Sequence, residues 1–267
     1  MRYAVWFVRL LFAAWMIPAG LNHFIPLFPQ PMGTQPLSHE LIVALLDSHL
    51  FDLVKAVELI AGVCVLFGFY APLALVVCMA VSFCVFYWDA PLEGWGSRAA
   101  VFGWAALLST VLLCLSYYKN YLSMFTLRAE AQKKQLALAG RIVFGAWMAL
   151  NGASYLFLSL WPAPAGHEPL AIQLMTSLVD SHLLDVAMAM QLVAGVLILV
   201  GVVVPIALCV LMPISTCALY WSVILDHHPL YMILALAAFA LNGLLMLAYL
   251  PYYRGTLQRR ALAFGEA

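Results

Sequence analysis

Long apolar segments alternate with short polar ones along the whole chain. Eight apolar runs lie near residues 3–23, 50–70, 72–88, 98–118, 140–160, 183–203, 204–224 and 229–250. Each is close to the ~20 residues that a helix needs to cross ~30 Å of hydrocarbon. The pattern predicts an all-α membrane protein with eight transmembrane helices.

Two further segments have helical apolar spacing but are too short to span a bilayer. They are "SHELIVALLDS" at 38–48 and "EPLAIQLMTSLVDS" at 168–181. An apolar stripe on a short helix is typical of a helix that lies along the membrane surface. We predict such a helix immediately before the second and the sixth spans.

The two halves of the chain repeat each other. Shifted by 133 positions, residues 41–88 match residues 174–221 at 23 of 48 positions. "RLLFAAWM" from Arg9 matches "RIVFGAWM" from Arg141, and Tyr117-Tyr118-Lys119 matches Tyr252-Tyr253-Arg254. We therefore predict two tandem four-helix bundles, residues 1–118 and 140–267, joined by a basic linker at 119–139. Four spans per half give both bundles one orientation, related by a pseudo-two-fold axis along the membrane normal.

Composition supports a bilayer as the main solvent of the chain. Hydrophobic residues make up 66% of the sequence and charged residues only 9%, against roughly 25% charged residues in soluble domains. The formal net charge is zero, so no basic field attracts nucleic acid. The six cysteines form no CxxC pair, which argues against a thiol–disulfide relay.

Basic and acidic residues gather at opposite ends of the predicted spans. Lysines and arginines cluster near both termini and in the linker, where we predict a surface helix. By the positive-inside rule this side faces the cytoplasm. Most acids and all the histidines fall on the other side. We predict a multi-pass protein of a bacterial inner membrane, with both termini cytoplasmic and the histidine-bearing side in the periplasm.

A hexapeptide occurs once in each half, just before a long apolar run. It reads "DSHLFD" at 47–52 and "DSHLLD" at 180–185. Its Asp-Ser pair suits a helix N-cap, since short oxygen-bearing side chains accept hydrogen bonds from free amides. His49 and Asp52, like His182 and Asp185, are three residues apart and share a helix face. A capped helix start at headgroup level is the structural alternative to a functional pair.

The halves differ just beyond the hexapeptide. The first continues with Lys55 and Glu58, whereas the second has Met188 and Gln191. Glu58 would lie ~13 Å deeper than His49, near the bilayer midplane, where an ionisable group is costly. Lys55 can pair with Asp52 or with Glu58. These residues predict a proton-accepting or headgroup-binding site in the first bundle, with an inward-facing structural ion pair as the alternative.

A metal or haem site is a weaker alternative that the sequence leaves open. Seven histidines and several acids on one side offer ligands for copper, zinc or haem iron. His49 and His182 are related by the repeat. However, no histidine pair has the four-residue spacing of HExxH, and "DHH" in a short loop is a weak signal.

Each half resembles the DoxX-like family of four-helix membrane proteins. The resemblance rests on "R-x2-F-x2-W-M-x3-G" from Arg9 to Gly20 and from Arg141 to Gly152, on "GLNHFIP" at 20–26, and on "ELIAGVCVLFGFYAPLAL" at 58–75. It covers nearly the whole chain as a tandem pair. The second half departs from it where Gln191 replaces Glu58 and Ser154-Tyr155 replaces Asn22-His23.

The resemblance implies several functions. Some family members are membrane subunits of thiosulfate:quinone oxidoreductases, others accompany redox-stress or peptide-modifying systems, and distant relatives resemble cargo receptors and assembly factors. We predict a quinone-interacting redox component with a soluble or membrane partner subunit that carries any metal or haem. A lipid- or client-binding assembly factor and a small-molecule transporter are the alternatives.

Eight residues are the predicted site. Those expected to act on protons are His49, Asp52, Lys55 and Glu58. Those expected to contact the cofactor are Trp88, His23, Asn22 and His182. The first group supplies a proton relay beside an apolar slot, which is what quinone chemistry needs.

The predicted orientation can be tested by cysteine labelling. Ala165→Cys should react with a membrane-impermeant thiol reagent added to intact spheroplasts, whereas Gln132→Cys should react only after permeabilisation. The native cysteines lie inside apolar runs and should contribute little background. The opposite labelling pattern would reverse the orientation.

Overall fold

The chain folds into helices and short connections. The structure is a computed structural model that describes residues 2–161 and 165–263 of the 267-residue chain. Contacts among these residues group into two compact units. The first unit runs up to Leu122 and also includes the tail from Arg254, and the second unit runs from Ser123 to Tyr253.

Four long helices form a closed ring in the first unit. Its helices are α1 (Arg2–Phe24), α2 (Pro36–Asp47), α3 (Leu50–Phe67), α4 (Ala71–Tyr87), α5 (Arg98–Ser116) and α6 (Tyr118–Tyr121). α1 packs on α3, α3 on α4, α4 on α5, and α5 on α1. Their inner faces bury Phe12, Leu75 and Leu113. α4 continues into a π-helical turn at Trp88–Leu92, and α2 packs on this turn and on α3.

The second unit has the same helix order. Its helices are α7 (Lys134–Ala153), α8 (Pro169–Asp180), α9 (Leu183–Val200), α10 (Val204–Tyr220) and α11 (Pro229–Ala248). The ring is closed by α7 on α9, α9 on α10, α10 on α11, and α11 on α7. π-helical turns at Ser154–Leu158 and Trp221–Asp226 extend α7 and α10. The short helices α2 and α8 confirm the two predicted non-spanning helices.

Seven helices within residues 2–161 and 165–263 are long and apolar enough to cross a membrane. They run Tyr3–Phe24, Ala71–Leu92, Arg98–Ser116, Lys134–Leu158, Leu183–Val200, Val204–Asp226 and Pro229–Ala248. Of the eight predicted spans, α3 falls outside this set, because its 18 residues include Asp52, Lys55 and Glu58. The chain is a multi-pass helical membrane protein, and these spans bring it into contact with a lipid bilayer.

The linker is shorter than the sequence indicates. α7 begins at Lys134, six positions before the predicted start at 140. Within the predicted linker, helix occurs only at the two ends, at Tyr118–Tyr121 with the 3₁₀ turn Leu122–Phe125 and from Lys134, and the described residues 126–133 contain none. A backbone hydrogen bond from this segment instead joins it to the turn between α9 and α10, where Val203 N donates to Leu127 O over 3.0 Å. A chain held in this way does not need helical hydrogen bonds of its own.

The tail after the second unit returns to the first unit. Tyr70 N donates to Arg259 O over 3.0 Å, at the turn between α3 and α4. Tyr70 and Val203 occupy equivalent turns, and both have a positive φ, 47° and 43°. The segments that follow α5 and α11 therefore close equivalent turns, but each turn belongs to the other half of the sequence. Contacts thus divide the chain differently from the boundaries 1–118, 119–139 and 140–267.

The structure corrects one alignment within the repeat. Tyr117 and Tyr249 each follow the last residue of the fourth long helix, with φ of −104° and −101°. Tyr121 donates to Pro72 O and Tyr253 donates to Pro205 O, over 3.0 and 2.9 Å. Tyr117 therefore corresponds to Tyr249, not to Tyr252. The letters "YYK" and "YYR" are similar, but they lie at different distances from the helix ends. "YYK" follows Ser116 of α5 directly, whereas "YYR" begins four residues after Ala248 of α11.

Gly20 allows α1 to approach α3 closely. A Cβ atom at Gly20 would lie 2.8 Å from Leu59 N and 2.8 Å from Lys55 O. Both atoms are backbone, so they cannot rotate away. Small residues at such crossings are typical of membrane helices, where close packing replaces the hydrophobic effect as the source of association. The position of Lys55 relative to α1 depends on this contact.

Gly20→Ala should therefore destabilise the protein. Overpacking a rigid contact costs about 1–3 kcal/mol, so the melting temperature in detergent should fall. Gly243→Ala is the matched control, because a Cβ at Gly243 in α11 meets nothing within 4 Å. Removing a helical glycine there should leave the protein unchanged or up to about 1 kcal/mol more stable. Equal shifts in the two variants would contradict the packing argument.

Candidate functional site

A buried ion pair lies inside the first unit. Lys55 Nζ donates to Glu58 Oε2 over 2.8 Å. Lys55 is 8% exposed and Glu58 is 1% exposed. The Phe51 ring lies beneath the ammonium, with 4.8 Å between Lys55 Nζ and the ring centroid. Desolvating both charges costs several kcal/mol per ion, so such a pair is rarely a gain in stability over apolar side chains.

Asp89 is a third buried ionisable group near the pair. It lies in the π-helical turn after α4 and is 6% exposed. It interacts electrostatically with Lys55 and Glu58. No residue that the structure describes donates a hydrogen bond to its carboxylate oxygens. The cluster formed by Lys55, Glu58 and Asp89, called the buried triad below, has two acids and one base.

Gly103 in α5 makes room for Asp89. A Cβ atom at Gly103 would lie 2.6 Å from Asp89 Cβ. Asp89 follows the predicted span at 72–88 directly, so the sequence places it in an outer polar segment. A π-helical turn instead carries the helix past this point and turns the carboxyl inward. The repeat contains a signal for Asp89, because the aligned position in the second half is the uncharged Ser222.

Asp52 does not pair with Lys55. Its Oδ1 lies 2.6 Å from His23 Nε2 in α1, and its Oδ2 lies 3.1 Å from His49 Nδ1. Of the two partners predicted for Lys55, only Glu58 is the actual one. The reason lies in the helix packing. Because His23 of α1 binds Asp52, the Lys55 ammonium pairs with Glu58, the deeper of the two acids. The predicted proton relay through Asp52, Lys55 and Glu58 therefore has no direct contact between Asp52 and Lys55.

Exposure decreases along the chain of polar groups. The side chain of His49 is 76% exposed, that of Asp52 46% and that of His23 15%. His23 interacts electrostatically with Glu58, whose side chain is 2% exposed. The His23 ring also packs edge-on against Phe51, with 5.2 Å between the ring centroids. A graded series of titratable groups therefore leads from the surface to the buried triad.

The hexapeptide forms a corner between two helices, and the N-cap position of α3 is His49 and not the predicted Asp47 or Ser48. Asp47 ends α2, Ser48 follows it, and α3 begins at Leu50. His49 between them has a φ of 56° and makes no side-chain cap. The Ser48 hydroxyl donates back to Leu45 O over 3.2 Å.

The same corner recurs in the second unit. His182 has a φ of 57°, and the Ser181 hydroxyl donates to Leu178 O over 3.3 Å. Nδ1 of His182 lies 2.8 Å from Asp185 Oδ2. The left-handed histidine turns the chain from a short helix, α2 or α8, into the long helix that follows it, α3 or α9. This turn is the structural reason why the hexapeptide occurs twice.

The second unit keeps the outer contacts and lacks the buried triad. Tyr155 stands where the first unit has His23, and its hydroxyl donates to Asp185 Oδ1 over 2.8 Å. The positions of Lys55, Glu58 and Asp89 are occupied by Met188, Gln191 and Ser222. Gln191 and Ser222 are buried. All three charges are therefore missing together from an otherwise equivalent framework.

Two of the residues predicted to contact a cofactor use their polar atoms to fix the fold. Asn22 Oδ1 accepts hydrogen bonds from Leu27 N and Phe28 N, over 2.8 and 2.7 Å. Trp88 Nε1 donates to Ser38 O over 2.9 Å and so holds α2 against the π-helical turn. His182, also predicted to contact a cofactor, is 75% exposed at its corner. His23 is the one of these four that lies beside the buried triad.

Glu93 holds the start of α2. Its Oε1 accepts from Thr34 N over 2.8 Å, its Oε2 accepts from the Thr34 hydroxyl over 2.5 Å, and the Ser38 hydroxyl also donates to it. Burial opposes ionisation of Glu93, but these hydrogen bonds outweigh it and hold the pKa of the carboxyl below its ordinary value of 4.5. Asp226 makes the equivalent contact with His167 N in the second unit.

No group of three or more His, Cys, Asp or Glu side chains that could hold a metal ion occurs within residues 2–161 and 165–263. The closest ring contact among histidines is a stack of His167 on His228, with 4.3 Å between ring centroids. His49 and His182 belong to different units and each is bound to its own aspartate.

Glu93→Gln should destabilise the protein and weaken its acid dependence. The amide loses charge-assisted hydrogen bonds, at a cost of about 1–3 kcal/mol. Because the pKa of Glu93 is lower in the folded state, its stabilisation is present above pH 4.5 and is lost as the pH falls through the folded value.

Thermal unfolding of the detergent-solubilised protein between about pH 3 and 7 measures this effect. The wild type should lose stability more steeply than the variant over this range. Glu40→Gln is the control, since Glu40 lies exposed on α2, the helix whose start Glu93 holds. A variant with the same slope as the wild type would contradict the assigned role of Glu93.

Comparison with known proteins adds no relative. No protein-family model, curated protein or solved structure matches the chain. The DoxX-like resemblance therefore stays a prediction, and the function is argued from the geometry of the first unit.

Proposed function

We propose that the chain is a redox component of a bacterial inner membrane that interacts with quinone through a proton-coupled site in its first unit. One observation carries the proposal: Lys55, Glu58 and Asp89 are buried together inside an apolar bundle. The second unit folds in the same way without them, so the framework does not need these charges. An arrangement that costs free energy and that the fold does not require favours a functional role.

Charge balance gives the buried triad the capacity to hold a proton. With both acids ionised, the two carboxylates outnumber the single ammonium and leave an uncompensated charge in a medium of low dielectric constant. One proton shared between Glu58 and Asp89 makes the cluster neutral. The same proton can be given up when a substrate supplies a compensating hydrogen bond or charge.

Protons reach the buried triad through the outer polar groups. His49 exchanges protons with the aqueous phase, and Asp52 joins it to His23 through hydrogen bonds of 3.1 and 2.6 Å. His23 then interacts electrostatically with Glu58. Histidine suits this task because its ordinary pKa lies close to neutral pH. In the second unit Tyr155 replaces His23, and the series ends at Asp185.

The chemistry of a quinone headgroup matches these side chains. Reduction of a quinone to a quinol takes two electrons and two protons, and the reverse reaction releases them. A quinone carbonyl oxygen accepts a hydrogen bond from the ammonium of Lys55, and the acids supply or remove the protons. The electrons come from the redox centre of a partner subunit, as the DoxX-like resemblance implies. The apolar surface of the spans suits an isoprenoid tail.

α3 is the eighth span in this proposal. Its three charged residues lower its hydropathy, but Lys55 and Glu58 point into the bundle and not toward lipid. Eight crossings return the chain to its starting side, which agrees with basic residues near both termini and in the linker. The buried triad then lies nearer the periplasmic side, beneath α2.

Glu58→Gln should abolish most of the activity while the fold is retained. Quinol-linked electron transfer in membranes that contain the variant should fall about 100-fold or more, the usual effect of removing a positioned acid or base. The amide is isosteric, and Lys55 keeps Asp89 nearby as a counterion. Binding of decylubiquinone to the purified variant, followed by tryptophan fluorescence, should weaken in parallel.

The double variant Lys55→Met, Glu58→Gln separates the functional site from a structural ion pair. It gives positions 55 and 58 the side chains of the second unit, and the remaining Asp89 can be neutral by holding a proton, so the variant should be about as stable as the wild type, yet inactive. Retained activity in the double variant would end the proposal.

Gln191→Met and His182→Gln are matched controls in the second unit and should leave electron transfer intact. If Glu58→Gln instead leaves electron transfer intact and releases a co-purifying protein, an assembly factor is the better description.

A further inference from the structure

A shallow groove at the basic end of the second unit contains a guanidinium group with unused donors. The groove is lined by Ala129, Glu130, Ala131, Lys134, Leu138, Arg141 and Tyr249. Arg141 projects from the second turn of α7 toward the α9–α10 turn, where a Cβ on Gly201 would lie 2.7 Å from its Nη1. The Nε of Arg141 is buried and has no hydrogen-bond partner.

The whole guanidinium of Arg141 lacks a counterpart among the residues that the structure describes. No carboxylate lies within 4.0 Å of it, and no carbonyl or hydroxyl oxygen accepts from it in residues 2–161 and 165–263. A partly buried cation in this state is expected to have a ligand, because five strong donors without acceptors are costly away from water.

The equivalent arginine of the first unit is closed off. Arg9 is 4% exposed and donates to the hydroxyl of Tyr117. The Trp6 ring covers its guanidinium, with 5.4 Å between Cζ and the ring centroid. The Nε of Arg9 is buried without a hydrogen-bond partner, as in Arg141, but the rest of its guanidinium is held between a tyrosine and a tryptophan.

The equivalent arginine of the second unit, Arg141, has no aromatic ring over it. Leu138 stands where the first unit has Trp6, so the aromatic cover is gone. Tyr249 corresponds to Tyr117, but its hydroxyl makes no hydrogen bond with any residue in the described part of the chain. Two groups that satisfy each other in the first unit therefore both line the groove as free donors in the second.

Lys134 adds a second positive charge at the edge of the groove. It pairs with Glu130 over 2.7 Å, and both side chains are about three-quarters exposed, at 73% and 74%. An exposed pair of this kind contributes little, so Lys134 can turn to another anion. The groove then offers an arginine fork, an ammonium and a phenolic hydroxyl, with one carboxylate at its rim.

We propose that this groove binds a phosphoryl group, with Arg141 as the central donor and Tyr249 and Lys134 beside it. Arginine forms paired hydrogen bonds with phosphate oxygens, and the three donors match the acceptors of one phosphodiester. The groove lies at the first residues of the candidate span Lys134–Leu158, at the depth of lipid headgroups. The phosphoryl group of an anionic phospholipid therefore fits, and a soluble phosphate has the same chemistry. This site does not depend on the quinone proposal.

The test measures ligand-induced thermal stabilisation of the full chain in a neutral detergent. Three probes are compared: dioleoyl phosphatidylglycerol, inorganic phosphate, and dioleoylglycerol, which has the same acyl chains without a phosphoryl group. A ligand that binds only the native state stabilises it by RT ln(1 + [L]/Kd), so the melting temperature rises with ligand concentration. Phosphatidylglycerol should stabilise the wild type, and dioleoylglycerol should not.

Arg141→Gln should raise the apparent Kd for phosphatidylglycerol about tenfold or more, the loss expected for charge-assisted hydrogen bonds. Tyr249→Phe should raise it by a smaller factor while keeping the ring, and it remains informative if Arg141→Gln fails to fold. Arg254→Gln removes the same charge from an exposed position outside the groove and should leave the Kd unchanged.

The source of the phosphoryl group follows from the probe that responds. Stabilisation by phosphatidylglycerol alone that depends on Arg141 identifies a lipid site, and equal dependence with inorganic phosphate identifies a soluble ligand. The proposal is overturned if dioleoylglycerol stabilises as well as phosphatidylglycerol. It is also overturned if neither Arg141→Gln nor Tyr249→Phe weakens binding more than Arg254→Gln does.

Discussion

Burial of charge in an apolar bundle is costly, and this cost governs which side chains surround Lys55, Glu58 and Asp89 in the first unit. Lys55 and Glu58 stay in the bundle because each neutralises the other at 2.8 Å, and the Phe51 ring lies beneath the ammonium. Gly20 sets the distance between α1 and α3 at this level. Asp89 then adds a second acid that the pair does not neutralise, so the cluster is balanced only with a proton or a ligand.

The internal repeat works as a natural comparison of one framework with and without these charges. Both units have the left-handed histidine at the helix corner, the tryptophan indole that donates to a carbonyl of the short helix, and an acid at the start of that helix. These contacts account for the fold. The buried triad is extra to them, which is why its presence in only one unit points to function.

The units have diverged at both ends. At the end with the hexapeptides, the first unit has charged groups where the second has neutral ones. At the basic end, the first unit has a closed arginine, whereas the second has an arginine facing a groove because Leu138 replaces the covering Trp6. Each unit thus combines one structural end with one end that has unused polar capacity. A duplicated bundle can divide two tasks in this way without changing its packing.

The residue pattern alone is enough to predict the helical membrane class, the tandem repeat, the two short helices and the asymmetry at Lys55 and Glu58. These depend on hydrophobic periodicity and on comparison of positions within the chain, which are local or internal signals. Which polar groups contact each other depends on how the helices pack. His23 reached Asp52 from another helix, a π-helical turn directed Asp89 inward, and the linker and tail closed turns far away in sequence. Such pairings depend on helix approach and on single-residue changes of helical register, which leave no periodic signal in the sequence.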